Sequence, residues 1–186
     1  MSWGPIVVGV DASPAAAGAA AVGERLARLA SVQCRLIHAV RDAWAPLAAV
    51  SADPQVVKMQ ELQLAVARHQ VNEALAKVLP QRFANLDVVF APPAAALQQV
   101  MHEQRPGLVV LGGKHHSALE RWLGGSTSLH VVRSAEVPVL VTAGAPESIR
   151  RVLVAADLSP GARPTIGLAE RIARLVGAEV RVLTVF

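Results

Sequence analysis

Shifted by 146 positions, residues 6–40 of this 186-residue chain align with residues 152–186 without a gap. The identities include Val8/Val154, Asp11/Asp157, Ser13/Ser159, Pro14/Pro160, Glu24/Glu170, Arg25/Arg171, Arg28/Arg174 and Arg35/Arg181. A repeat of this kind means that one structural unit is used twice, so whatever residues 6–40 fold into, residues 152–186 fold into again. The two stretches are the opening of the chain and its last segment, which predicts one complete unit followed by the start of a second copy.

The pattern inside the repeat identifies the unit. Ile6-Val7-Val8-Gly9-Val10 is an apolar run with no alternation, as a strand covered on both faces requires. Ser13-Pro14 then opens a helix, Ser as cap and Pro in the first turn, where its missing N–H costs nothing. Val22, Leu26 and Leu29 are expected on its buried face, with Glu24, Arg25 and Arg28 outward. Cys34 to Val40 reads as the second strand. Beyond it, 41–54 reads as a loop, and a helix to about Leu79 is predicted from Val57, Leu64, Val71 and Val78 recurring every seven residues. Leu86 to Phe90, Pro93 to about Gln104 and Leu108 to Leu111 continue as strand, helix and strand. A glycine-bearing loop, 112–125, leads to a helix from Ser126 to Ser134, and Val137 to Val141 is strand five, with Pro138 near its start.

Strands alternating with helices make this an α/β protein with an open parallel sheet. The expected organisation is a complete domain over 1–143, a linker over 144–150 and a partial second repeat, β-α-β, over 151–186. A lone β-α-β is too small to bury its own core. The sequence therefore predicts either a two-repeat protein cut short at residue 186 or a half-copy that docks on another subunit.

Composition narrows the function classes. The chain is 53% hydrophobic but only 3% aromatic, so its core is aliphatic. The most apolar stretch, Ala15 to Val22, is far shorter than the roughly 20 residues of a membrane span, and the N-terminus has no basic region of a secretory signal. With a single cysteine, Cys34, there is no internal disulfide framework and no cysteine zinc site, and a cytoplasmic location is expected. The net charge of +4 comes mainly from scattered Arg interleaved with Glu, a solvated surface rather than a nucleic-acid stripe. His115 and His116 are adjacent and diverge, and no carboxylate–histidine spacing repeats, so no metal site is expected. Neither a Gly-x-Ser-x-Gly elbow nor an intact Gly-Lys-Ser/Thr phosphate loop is present, and the chain is not expected to be an enzyme.

Chemistry is expected at the ends of strands one and four. Val10-Asp11-Ala12-Ser13-Pro14 puts a carboxylate just before a helix N-terminus, and Leu111-Gly112-Gly113-Lys114-His115-His116 leaves strand four. Gly124-Gly125-Ser126-Thr127-Ser128 opens the next helix. In an open parallel sheet, strand ends flanking the reversal of strand order form the ligand crevice. Glycine there lets the backbone approach a phosphate, which helix N–H groups and hydroxyls can cradle.

These same residues, the Val-Asp-x-Ser-Pro strand end and the run from Leu111-Gly112 through Gly125-Ser126 and Val131 to Val137-Pro138-Val139-Leu140-Val141, resemble the universal stress proteins. The resemblance covers residues 5–143 and recurs in 151–186. It implies a five-stranded parallel sheet in the order 3-2-1-4-5, helices on both faces and dimerisation through strand five, and it implies that some members bind ATP while others do not. Nucleotide-binding members carry Gly, two residues, Gly, nine residues, Gly, then Ser or Thr. Here Gly112 and Gly125-Ser126 match, and His115 stands at the middle glycine. By resemblance, Asp11 and Val40 would meet the adenine and ribose, and Gly112, Lys114, His115, Gly125, Ser126, Thr127 and Ser128 the ribose-phosphate side of ATP or a related adenine nucleotide. The implied function is a non-catalytic stress-response module, with a pocket altered by His115 as the alternative and weak ATP hydrolysis as a lesser one. A homodimer or larger assembly through strand 137–141 and residues 150–186 is expected. In it, residues 150–186 pack against the partner subunit or the first domain.

Overall fold

The computed structural model describes residues 3–41, 53–79, 85–113, 126–157 and 159–184. Five parallel strands form the main sheet: β1 (Ile6–Gly9), β2 (Cys34–Val40), β3 (Leu86–Phe90), β4 (Leu108–Gly112) and β5 (Val139–Thr142). Their order is β3-β2-β1-β4-β5, so the chain reverses direction across the sheet between β1 and β4. Two helices, α1 (Pro14–Ala30) and α2 (Pro54–Ala76), cover one face. Two more, α3 (Pro93–Gln104) and α4 (Ser126–Ser134), cover the other, where Val7, Ile37, Leu97, Met101, Val109 and Val131 form the core. A separate two-stranded parallel sheet, β6 (Arg151–Ala155) with β7 (Glu179–Leu183), carries α5 (Ala162–Val176) between its strands. Among the described residues no helix is long and apolar enough to cross a membrane.

The α1 helix explains how a chain so poor in aromatics packs tightly. Ser13 caps it in extended conformation, its hydroxyl accepting the Ala16 N–H at 3.2 Å, and Ser31 closes it in the left-handed region. Its buried face is made of small residues, Ala16, Ala17, Ala20, Gly23 and Ala27, with Val22 and Leu26. A Cβ on Gly23 would stand 2.4 Å from Val8 Cγ2, so the glycine lets the helix lie directly on β1. Close backbone approach of this kind supplies dense packing where large side chains are scarce.

Three expectations need correction. Leu29 is 51% exposed rather than buried, because it lies in the last turn of α1, past the end of the sheet that shields Val22 and Leu26. Helix α2 ends at Ala76 rather than near Leu79, which leaves the exposed Val78 outside it; within it only Val71 and Leu75 are buried, and Val57 is exposed. The 23-residue helix is about 34 Å long and the seven-residue β2 about 23 Å, so the helix overhangs the sheet it covers. Finally, β5 begins at Val139. Pro138 stays outside it, and its carbonyl accepts the Val109 N–H at 2.9 Å.

The repeat is reproduced in detail. Ile6 registers with Cys34 in the first sheet, and Val152 with Val180 in the second, the same pairing moved by 146 residues. Helix α5 packs on α1, with Leu175 and Val176 against the main core. Two equivalent arginines clasp the two units reciprocally. Arg25 of α1 donates to the carbonyls of Pro146 (2.7 Å) and Glu147 (2.5 Å), ahead of β6. Arg171 of α5 lies 4.2 Å over the ring of Trp3, ahead of β1.

Candidate functional site

The carboxyl ends of β1 and β4 lie side by side. Gly9 registers with Leu111, so Asp11 and Gly112–Gly113 leave the sheet together where the strand order reverses. In an open parallel sheet a ligand sits at such a point. Asp11 is exposed, and its Oδ1 accepts the Ser13 N–H at 2.9 Å, a tight turn that sets the carboxylate at the mouth of α1. The second repeat copies this turn: Asp157 Oδ1 accepts the Ser159 N–H at 3.0 Å, and the Ser159 contact holds the Asp157 carboxyl below its usual value.

Gly112 has a packing reason to be glycine. A Cβ there would meet the Ala15 carbonyl carbon and oxygen at 2.6 Å and the Ala16 nitrogen at 2.9 Å. The end of β4 is thus pressed against the first turn of α1, bringing that helix N-terminus, with its partial positive charge, to the crevice. Gly113 is also confined, its would-be Cβ lying 3.1 Å from the Thr142 oxygen and 3.2 Å from Val141 Cγ1. Its own N–H donates to the Thr142 carbonyl at 2.8 Å. Val40 ends β2 on the other side of β1, half-buried and packed on the core, its carbonyl accepting the Ala91 N–H at 3.1 Å.

The other expected contacts are divided. Ser126, Thr127 and Ser128 form the first turn of α4, which sits on the sheet face lined by Val131, and Ser128 is half-buried. Lys114, His115 and Gly125 lie outside the described residues, as does the loop that holds them. The structure therefore brings Asp11 and Gly112 together with α1's N-terminus, with Val40 one strand away.

One residue escaped the sequence reading. His38 Nδ1 lies 2.8 Å from the Val10 carbonyl, a contact in which the nitrogen must be the donor, leaving Nε2 as the acceptor of the neutral ring. It fastens β2 to β1 one residue before Asp11. Its signal was there: a lone imidazole in the apolar run Cys34-Arg-Leu-Ile-His-Ala-Val40. Away from the strand ends, an open groove of about 500 Å³ runs between Pro138 and the α5 side chains Pro164, Leu168, Arg171 and Arg174. Pro138 precedes β5, which puts this groove at the opposite end of the sheet.

With this geometry in view, comparison with known proteins gives a consistent result. The model of the universal stress protein family matches residues 2–143. The universal stress protein Rv2623 of Mycobacterium tuberculosis is 32% identical over 143 residues, a match covering 73% of this chain and 46% of that protein. The chain thus spans about half the length of the curated relatives it matches. A universal stress protein structure from Archaeoglobus fulgidus superposes with a TM-score of 0.64 at 13% identity, covering 98% of this chain and 67% of that one. A Lactobacillus plantarum universal stress protein gives 0.51 at 22% identity, covering 76% and 98%. At these identities the structures are similar in fold alone.

Proposed function

Because the chain belongs to the universal stress protein family, we propose that it is a non-catalytic stress-response module that binds an adenine nucleotide, ATP or a relative, at the β1/β4 crevice. The observation that carries this reading is the meeting of Asp11, Gly112 and the N-terminus of α1 at the reversal of strand order. A carboxylate is suited to ribose hydroxyls, and glycine backbone with a helix N-terminus to phosphate. Ser126, Thr127 and Ser128, with Lys114, His115 and Gly125, would complete the phosphate side, and Val40 the base side. The role is binding, and no proton-transfer step is assigned to any side chain. The test is calorimetry with ATP and Mg²⁺ on the purified chain, alongside chromatography of whatever denaturation releases. Saturable heat that disappears in Asp11→Ala supports the reading, whereas no heat and no released nucleotide overturn it.

A second reading rests on a specific observation: Asp11 and Gly112 already have structural work. Asp11 forms the turn that leads into the Ser13 cap, and Gly112 makes room for α1. On this reading the crevice is closed by the side chain of His115 and the protein acts through contacts with other proteins. It predicts that His115→Gly creates or strengthens ATP binding, and an unchanged affinity in that variant argues against closure. In both readings the chain self-associates through strand five, whose residue Val141 is 45% exposed on the outer edge of the main sheet.

A further inference from the structure

His38 is a polar ring on an otherwise apolar face of β2. Ile37 belongs to the core beneath α3 and α4, whereas Leu36 and Val40 pack on the opposite core, so His38 shares the face that α1 covers. The last registered pair between β1 and β2 is Gly9 with Ile37. One residue further, the Val10 N–H still donates to the Ile37 carbonyl at 2.9 Å, but β2 runs on to Val40 against β3 while β1 leaves the sheet. At that point the His38 ring supplies the next bond, its Nδ1–H donating to the Val10 carbonyl at 2.8 Å. Val10 is buried, and a buried carbonyl needs a donor.

Both main-chain polar groups of Val10 are therefore held by β2, and the next residue is Asp11. Beyond Asp11 the chain is pinned again, since Oδ1 accepts the Ser13 N–H at 2.9 Å and the Ser13 hydroxyl accepts the Ala16 N–H at 3.2 Å. The second repeat supplies a comparison within the same molecule. Thr184 stands at the position of His38, and among the described residues it makes no bond to Ala156, the equivalent of Val10. There Ser159 turns its hydroxyl as well as its N–H to Asp157, and α5 starts without a side-chain cap. Where the histidine is present, the serine hydroxyl caps the helix. The Asp11 carboxylate then takes only a main-chain N–H among the described residues, which leaves its other oxygen for a ligand.

We propose that His38 is a positioning residue for Asp11, an inference that rests on reading the β1/β4 crevice as a nucleotide pocket. By holding the last carbonyl of β1, the ring sets where the carboxylate stands relative to Gly112 and the N-terminus of α1. A binding constellation works only when supporting groups keep it to within about 0.5 Å of its productive geometry. Without the ring the Val10 carbonyl loses its donor, and the link from Val10 to Ser13, which belongs to neither strand nor helix, shifts. His38 acts through Asp11 and does not touch the nucleotide.

Leu and Asn have nearly the same shape, and Asn carries its amide nitrogen where the imidazole has Nδ1. His38→Leu thus removes the tie and His38→Asn rebuilds it. Backbone amide relaxation is measured on the full chain without nucleotide, and ATP affinity with Mg²⁺ by calorimetry. In His38→Leu the order parameters of Asp11, Ala12 and Ser13 are expected to fall from about 0.85, the value of rigid backbone, toward about 0.6. The dissociation constant is expected to rise at least about tenfold. His38→Asn restores both. His38→Thr, the residue the second repeat accommodates here, should behave as His38→Leu and replaces it if that variant does not fold. Cys34→Ala, in the same strand, controls for lost stability and should change neither quantity. Unchanged order in His38→Leu, no rescue in His38→Asn, or an equal loss in Cys34→Ala overturns the proposal. Weakened affinity with order intact also overturns it, because the ring would then be a direct contact. If the unaltered chain binds no ATP, the pocket reading fails, and the order parameters alone decide whether His38 positions Asp11.

Discussion

Cys34 is a buried thiol at the start of β2. Burial, reinforced by the nearby Glu24 carboxylate, pushes its thiol up to about 12 from an ordinary value of 9.0. The native state therefore keeps a proton that the unfolded chain releases. Its contribution to stability is intact below pH 9 and is lost as the pH rises toward 12. Denaturant titrations across the alkaline range should show a fall in stability that Cys34→Ala flattens. Iodoacetamide at pH 8 should label Cys34 only after unfolding, since the thiolate is the reactive form. Gly112 offers a second test at this scale. A methyl group there meets main-chain atoms of Ala15 and Ala16, which cannot swing aside as a flexible side chain does. Overpacking of that kind costs about 1–3 kcal/mol, so Gly112→Ala should lower Tm by roughly 2–12 °C with or without nucleotide present.

At the scale of elements, the repeated helices α1 and α5 start differently although their sequences start alike. Ser13 caps α1 through its side chain, whereas α5 begins two residues later relative to the repeat, with Gly161 at its cap and no side-chain cap bond. Ser159, the equivalent of Ser13, turns its hydroxyl as well as its main-chain N–H to the exposed Asp157 carboxylate. Ser13→Ala should therefore cost about 1 kcal/mol by thermal or denaturant unfolding, and Ser159→Ala only a small fraction of that. Equal losses would mean that both serines cap. The sheet has a comparable asymmetry. Arg35 reaches Asp87 on the neighbouring strand at 2.6 Å, while its repeat partner Arg181 turns back to Glu179 on its own strand.

For the whole molecule, the docking of the second β-α-β on α1 is the feature that sets how the chain behaves. Two contacts clasp it, the exposed Arg25 hydrogen bonds to residues 146 and 147 and the half-buried Arg171–Trp3 stacking. A half-buried cation–aromatic pair is worth about 1 kcal/mol. Arg171→Ala should therefore speed amide exchange in β6 and β7 by a few-fold and leave β1 and β4 protected, because the main sheet is closed by its own helices. Exchange that rises equally in both sheets would show that the two open as one unit.

The sequence by itself determined what is local or repeated. The order of strands and helices, the turn at Asp11 and the Ser13 cap follow from runs, caps and breakers that act within a few residues. The match of residues 6–40 to 152–186 carried over into a common strand register, because the same side-chain pattern packs the same way twice. Tertiary structure alone decided what depends on a second surface. Leu29 and Leu26 differ in burial because the sheet ends between them, and Val57 and Val71 because α2 is longer than its support. That Gly112 faces the α1 backbone, that His38 fastens β1 to β2, and that Trp3 meets Arg171 are long-range facts. Each pairs residues far apart in the chain, and no spacing along one segment encodes what another segment brings against it.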